Sequence, residues 1–213
     1  MKRYDLQVHT DASPCSQATP ESIVTAATKA NLDGIAVTDH DTLEGYEAVK
    51  AMAPEKLQVI PGVEVTTTQG HILALDVEKE PPQANPLTVA ENIRSQGGVA
   101  ILSHPFDRLR EHFTESLPEL AQYVHGVEVV NSRCVFSTYN SRALSYAQQH
   151  NLATTGGSDA HFPMELGRAY TLADRPILEA IKSGETQSTG KGGYISGHIA
   201  TKSYDLLSVV KSL

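Results

Sequence analysis

Residues 4–13, YDLQVHTDAS, alternate apolar and polar side chains and then stop on a lone imidazole. With the period of two that a strand imposes, Tyr4, Leu6 and Val8 share one face and Asp5, Gln7 and His9 the other. In a central strand, Gln7 and His9 would be polar groups carried into the interior, which costs free energy unless something binds them. Six further short apolar runs lie along the chain: GIAVT, LQVIPGVEV, HILALDV, GVAIL, GVEVV and LATTG. Segments with helix signals lie between most of them. Such β and α alternation predicts an α/β fold with a mainly parallel sheet, either open or closed as a barrel.

The helix signals are local and specific. Thr19 precedes Pro20, an N-cap residue ahead of proline at the first helical position. PLTVAENIRSQGG places Leu87, Ala90, Ile93 and Arg94 at helical spacing and ends on Gly97-Gly98. STYNSRALSYAQQHN does the same with Leu144, Ala147 and Gln148, and Asn151 is its candidate C-cap. Residues 78–86, EKEPPQANP, are polar and proline-rich and predict a long surface loop. The C-terminal stretch is glycine-rich and then amphipathic, with Leu206, Leu207, Val209 and Val210 available to dock a last helix. TGKGGYISG lacks the spacing of a phosphate-binding loop.

Length and composition bound the rest. A chain of 213 residues is long enough for one sizeable core, and a single domain over 1–213 is expected. No apolar run approaches the roughly 20 residues of a membrane span, and the N-terminus carries no apolar signal core, so a cytoplasmic protein is expected. The net charge of −8 argues against non-specific binding to nucleic acid or anionic lipid, while leaving room for a small local basic pocket. Cys15 and Cys134 are too few for a disulfide scaffold and lack the spacing of structural zinc.

The chemistry is read from the residues at the strand ends. His9 ends the first strand, Asp39-His40-Asp41 the second, and Glu64 lies within the third; His71 heads the fourth. His104 comes after the fifth, Asn131-Ser132-Arg133 after the sixth, and Ser158-Asp159-Ala160-His161 after the seventh. Strand ends of a parallel α/β fold share one face, so these groups converge. A single histidine at a strand end is more often a hydrogen-bonded surface or core residue. Five of the nine in corresponding places, beside carboxylates, form a ligand set for divalent transition metals. His112, His125, His150 and His198 lack that placement and are read as structural.

At these residues the chain resembles the PHP family, named for polymerase and histidinol phosphatase domains. The resemblance runs from VHTDAS through AVTDHDTLEGYEA, VIPGVEVTT, GHILAL, GGVAILSHPFDR and GVEVVNSR to TGGSDAHFPMELGRAYT. It implies a distorted seven-stranded (β/α) barrel, two or three divalent ions of manganese, iron or zinc, and phosphoester hydrolysis. Carried over by position, His9, His40, Glu64, His71, His104, Asp159 and His161 match metal ligands, with Glu64 as the bridging carboxylate. Arg133 would bind substrate phosphate, with Arg108 and Arg168 as weaker candidates; a rim salt bridge is the alternative role for Arg133.

Two positions depart from the pattern. The family usually begins H-x-H, whereas this chain has Gln7-Val8-His9, and an amide oxygen is a poorer ligand than imidazole. An Asp or His often comes shortly after, where this chain has Ser13-Pro14-Cys15-Ser16; Cys15 and, more weakly, Asp11 are substitutes. Glu64, His71 and His104 are the least affected set. The expected function is hydrolysis of a small phosphorylated metabolite or nucleotide by metal-activated water, with Asp159, His40 and His161 as proton carriers or leaving-group stabilisers. A decayed barrel acting as a regulatory binding module and a C–N bond hydrolase are the rivals. A nuclease role ranks behind small-molecule hydrolysis, because the acidic chain offers no stacking platform.

Overall fold

One mixed sheet organises the computed structural model, which describes residues 1–114 and 117–194. Its strands are β1 (Lys2–Val8), β2 (Gly34–His40), β3 (Gln58–Thr66), β4 (His71–Leu75), β5 (Val99–Ser103), β6 (Gly126–Asn131), β7 (Ala153–Gly157), β8 (Ala169–Ala173) and β9 (Gln187–Gly190). They lie in the order β7-β6-β5-β4-β3-β2-β1-β8-β9. The sheet curls until the end of β1 meets the chain leaving β7. There His9 N–H donates to the Ala160 carbonyl at 2.9 Å and Asp159 N–H to the Gln7 carbonyl at 3.0 Å. The result is a nearly closed barrel.

Two expectations need correction. The sheet has nine strands among the described residues instead of seven, because β8 and β9 extend antiparallel from β1. It is also mixed instead of mainly parallel. β1, β2 and β3 run parallel, as do β5, β6 and β7, but β4 runs against both of its neighbours. The reason is connection length: residues 67–70 suffice for a hairpin, whereas a parallel crossover needs a dozen or more. Reversal places the first residue of β4, His71, at the mouth where the other strands end.

Strand faces explain how the barrel is filled. On β3, Ile60 packs in an inner cluster with Leu6, Ala36, Leu73 and Ile101, while Val63 and Val65 pack outward. The same face of β3 then presents Glu64, so each inward stripe changes from apolar to polar towards the mouth. β1 breaks strict alternation. Its register against β2 shifts between Asp5 and Val8, so Tyr4 and Leu6 join the inner cluster but Val8 joins Ile23, Ile35 and Val37 in an outer one. A bulge of one extra residue reverses the facing of the residues beyond it.

Helices cover the outside and one end. α1 (Pro20–Lys29) and α2 (Glu44–Met52) pack on β1–β3, and α3 (Pro86–Ser95), α4 (Leu117–Leu120) and α5 (Ser137–His150) on β3–β6. α6 (Ile177–Ser183) closes the base with Ile177 and Ile181. Thr19 accepts from Ser22 N–H at 3.3 Å and Asn85 from Thr88 N–H at 3.0 Å, each ahead of a proline; such caps contribute about 1 kcal/mol. Asn151 ends α5 in the left-handed region, φ 54°. The buried face of α5 is Ala143, Tyr146 and Ala147, so Leu144 is exposed, contrary to the spacing in the sequence. Residues 78–85 form the expected loop. His198 and the apolar residues at 206–210 lie outside the described residues. No described helix is long and apolar enough to cross a membrane.

His125 sits at the opposite end from the mouth, where its Nδ1 accepts the N–H of Ala100 at 3.1 Å. Burial, then Arg94 and Lys182, lower its pKa to about 4. Because the folded value lies below the unfolded one, its share of stability is full above about pH 6.5 and is lost as pH falls towards 4. His125→Asn, which keeps an acceptor for Ala100, is expected to flatten acid destabilisation in that window by about 1 kcal/mol, discounted for a half-exposed ring. Urea melts at pH 7 and pH 4.5 measure it; equal pH slopes in both proteins would refute it.

Candidate metal centre

The mouth gathers seven donors into three overlapping groups, each with its ligand atoms within 4.8 Å of one another: His9, His40 and His161; Glu64, His71 and His104; and His9, Glu64 and Asp159. These are the seven residues for which the resemblance implies a ligand role. Glu64 is central. Its Oε1 lies 3.1 Å from His104 Nε2 and 4.0 Å from His71 Nδ1, while its Oε2 lies 3.1 Å from His9 Nε2 and 3.8 Å from His40 Nδ1. One carboxylate thus faces two sets of imidazoles with one oxygen each.

Asp39, Asp41 and Gly45 of TDHDTLEG shape the loops around the centre. Asp39 faces outward and accepts from Thr10 N–H at 2.8 Å, the Thr10 hydroxyl at 2.8 Å and the Ser13 hydroxyl at 2.6 Å, which pins the loop after His9. Ser13 in turn lies 3.4 Å from His9 Nδ1, leaving Nε2 to the centre. Asp41 accepts from Thr66 N–H and hydroxyl at 2.7 and 2.8 Å. Gly45 is needed because a Cβ there would stand 2.2 Å from Asp39 Oδ2 and 2.4 Å from Thr10 Oγ1.

Two ligand candidates adopt left-handed backbone, His104 at φ 28° and Asp159 at φ 56°. Such conformations persist only where the surroundings hold them. Glu128 accepts the His104 N–H at 3.0 Å, and the Gln7 carbonyl accepts that of Asp159. His161 is held by Glu165, which accepts its N–H at 2.7 Å, and by a 2.9 Å contact from Nδ1 to the Asp159 carbonyl.

Electrostatics and an orphaned atom fit a cation. Burial opposes charge on Glu64, but His40, His104 and His9 outweigh it and hold the carboxyl well below the usual range. Burial likewise works against protonation of His9, yet Asp159 and Glu64 raise its pKa to about 10. Burial, then His9, pushes His161 well down. Carboxylates that would keep a proton on His9 would also favour a divalent ion held by the same nitrogen in place of the proton. Nδ1 of His71, 4.0 Å from Glu64 Oε1, is buried without a hydrogen-bond partner. Ligands about 2.1 Å from one ion stand at most about 4.2 Å apart, so small contractions would close each group.

The remaining residues named from sequence fall in different places. Gln7 is buried, and its Oε1 takes the Ser103 hydroxyl and Asn131 Nδ2 at 3.4 Å each, while Nε2 has no partner. Cys15 is half-buried and belongs to none of the three groups, and Asp11 is exposed. Arg133 is buried with Nε 4.0 Å from Glu165 Oε1. Arg168 stacks its guanidinium 4.1 Å over Tyr194, and Arg108 is exposed.

Sequence reasoning missed Arg110. Its guanidinium enters the centre, bonding Asp159 Oδ2, Asp107 Oδ2 at 2.9 Å and Asn131 Oδ1 at 3.2 Å. It also missed Glu128, whose carboxyl is pushed well above the usual range by burial and then by Asp159. The signal for Glu128 was present: one acid inside the apolar run GVEVV.

Residues 137–186 match the family model described as PHP-associated. An uncharacterised protein of Methanocaldococcus jannaschii, MJ0417, is 35% identical over 174 residues, covering 79% of this chain and 69% of that one. The chain belongs to the PHP family. Among PHP-like structures, a two-domain protein from Bacteroides vulgatus containing a PHP-like metal-dependent phosphoesterase superposes with a TM-score of 0.77 at 21% identity, over 89% of this chain and 65% of that one. The 5′-3′ exoribonuclease Rnm of Salmonella typhimurium is 25% identical over 178 residues. The chain spans about half the length of Rnm (51%).

Proposed function

We propose that this PHP protein is a metal-dependent phosphoesterase acting on a phosphorylated metabolite or nucleotide, with its seven donors as metal ligands in one domain. The observation that carries this reading is Glu64, with one oxygen towards His71 and His104 and the other towards His9 and His40. Divalent ions bound there supply Lewis acidity and ionise water near neutral pH.

The chain's own residues would do the rest. Glu64, His71 and His104 hold one position; His9, His40, His161 and Asp159 hold its neighbours. Arg133, buried beside Glu165, offers planar donors to phosphate oxygens. His161, fixed through Nδ1 and its N–H, has only Nε2 left to offer an ion, whereas His40, the most exposed of the imidazoles, exchanges protons with solvent. Asp159 pairs with Arg110, which suits it to a ligand role more than to carrying a proton.

A panel of phosphate monoesters and diesters, assayed with manganese, iron and zinc, tests the reading. Activity should require metal and fall at least a hundredfold in His104→Ala, since even residues that merely orient a ligand cost 10–100-fold. Equal rates in parent and variant would overturn it.

A further inference from the structure

Three groups of donors meet at the mouth, yet they do not amount to three ions, because two of them share one nitrogen. His9 belongs both to the group with His40 and His161 and to the group with Glu64 and Asp159. Its Nδ1 turns to the Ser13 hydroxyl at 3.4 Å, so Nε2 alone faces the centre, 3.1 Å from Glu64 Oε2 and 3.3 Å from Asp159 Oδ1. An imidazole nitrogen has a single lone pair and serves one ion. Whichever group takes His9, the other keeps two of its three members. A single seat resolves the competition, since Glu64 Oε2 also lies 3.8 Å from His40 Nδ1 and so joins the two groups at His9. Glu64 Oε1, His71 and His104 form the other seat.

Asp159 supplies a second reason. Its Oδ2 accepts from Arg110 Nη1 and, at 3.2 Å, from Asn131 Nδ2, which leaves only Oδ1 towards His9. Arg110 is held on its other edges by Asp107 Oδ2 at 2.9 Å and Asn131 Oδ1 at 3.2 Å, so three oxygens match its planar fork. Burial opposes charge on Asp159, and Arg110 is foremost among the groups that overcome it. Gln7 adds no donor beside His9, because its Oε1 accepts from Ser103 and Asn131 at 3.4 Å each. A guanidinium at the oxygen that another ion would use both occupies that ligand and repels the ion.

We propose that Arg110 is the third cation of this centre: the mouth takes two divalent ions, and the guanidinium stands at Asp159 Oδ2 where a third would bind. The inference rests on the metal-ligand reading above and narrows its neighbouring positions to one. Two ions and one guanidinium already outweigh the buried carboxylates Glu64, Asp107 and Asp159. Arg110 is also a positioning residue, since it aims Asp159 Oδ1 at the second ion.

The test counts ions. The full-length parent, Arg110→Lys, Arg110→Met and Arg110→Ala are brought to equilibrium with excess manganese by dialysis near neutral pH, and the manganese held per chain is measured by elemental analysis. The parent and the lysine variant, which keeps the charge, should each hold two ions. The neutral variants release Asp159 Oδ2 and Asn131 Oδ1 and should hold three; methionine retains most of the side-chain volume and keeps the comparison available where alanine does not fold. An orienting role alone predicts the reverse, neutral variants that hold fewer ions than the parent, and that result would overturn the inference. One ion or three in the parent, parental uptake in a folded neutral variant, or a third ion in the lysine variant would overturn it as well. A parent that holds no manganese would instead reject the metal-ligand reading itself.

Discussion

Metal-free Arg110→Met is expected to melt roughly 10 °C below the parent, and manganese should restore about half of the loss. In the parent, Arg110 is the countercharge of two buried carboxylates, Asp107 and Asp159. Removing one partner of a buried ion pair costs about 3–5 kcal/mol, and a chain of this size shifts about 2–4 °C per kcal/mol. A bound ion would replace the missing charge at Asp159 but not at Asp107, where Arg110 Nε is 2.9 Å from Oδ2. Calorimetric melts with and without manganese measure both terms. An equal deficit in the two conditions would mean that Asp159 does not face the ion.

Glu64→Gln should produce the largest change in metal response. An ion at a hundred times its Kd stabilises the fold by about 2.7 kcal/mol, which is roughly 5–10 °C here. Removing the one carboxylate shared by two donor groups should abolish most of that rise and lower manganese-dependent hydrolysis by at least about a hundredfold. A glutamine variant that still gains the parental increment would show that Glu64 lies beside the ions without binding them.

Much of this arrangement was legible in the sequence, because donors sit where strands end. All seven apolar runs are strands, and the five histidines at their ends meet with Glu64 and Asp159, while Asp39 and Asp41 bind the surrounding loops. What could not be read depends on loop conformation. DRLR offers Arg108 and Arg110 in the same local context, and nothing periodic says which turns inward; the contacts to Asp107, Asn131 and Asp159 decide it. The bulge in β1 was hidden for a related reason, since an alternating pattern carries no mark of the residue that interrupts it. The reversal of β4 was available from the four residues that separate it from β3, a spacing that outweighs the general α/β pattern.

That reversal also bears on the order in which the centre assembles. Glu64, His71 and His104 come from β3, β4 and β5, three successive antiparallel neighbours whose pairing closes only modest stretches of chain. His9 and His161 meet only after β1 reaches the segment beyond β7, joining opposite ends of the described fold. A refolding chain would therefore have one cation seat ready while the other still awaited ring closure, and an ion captured early would bias the search for the native topology.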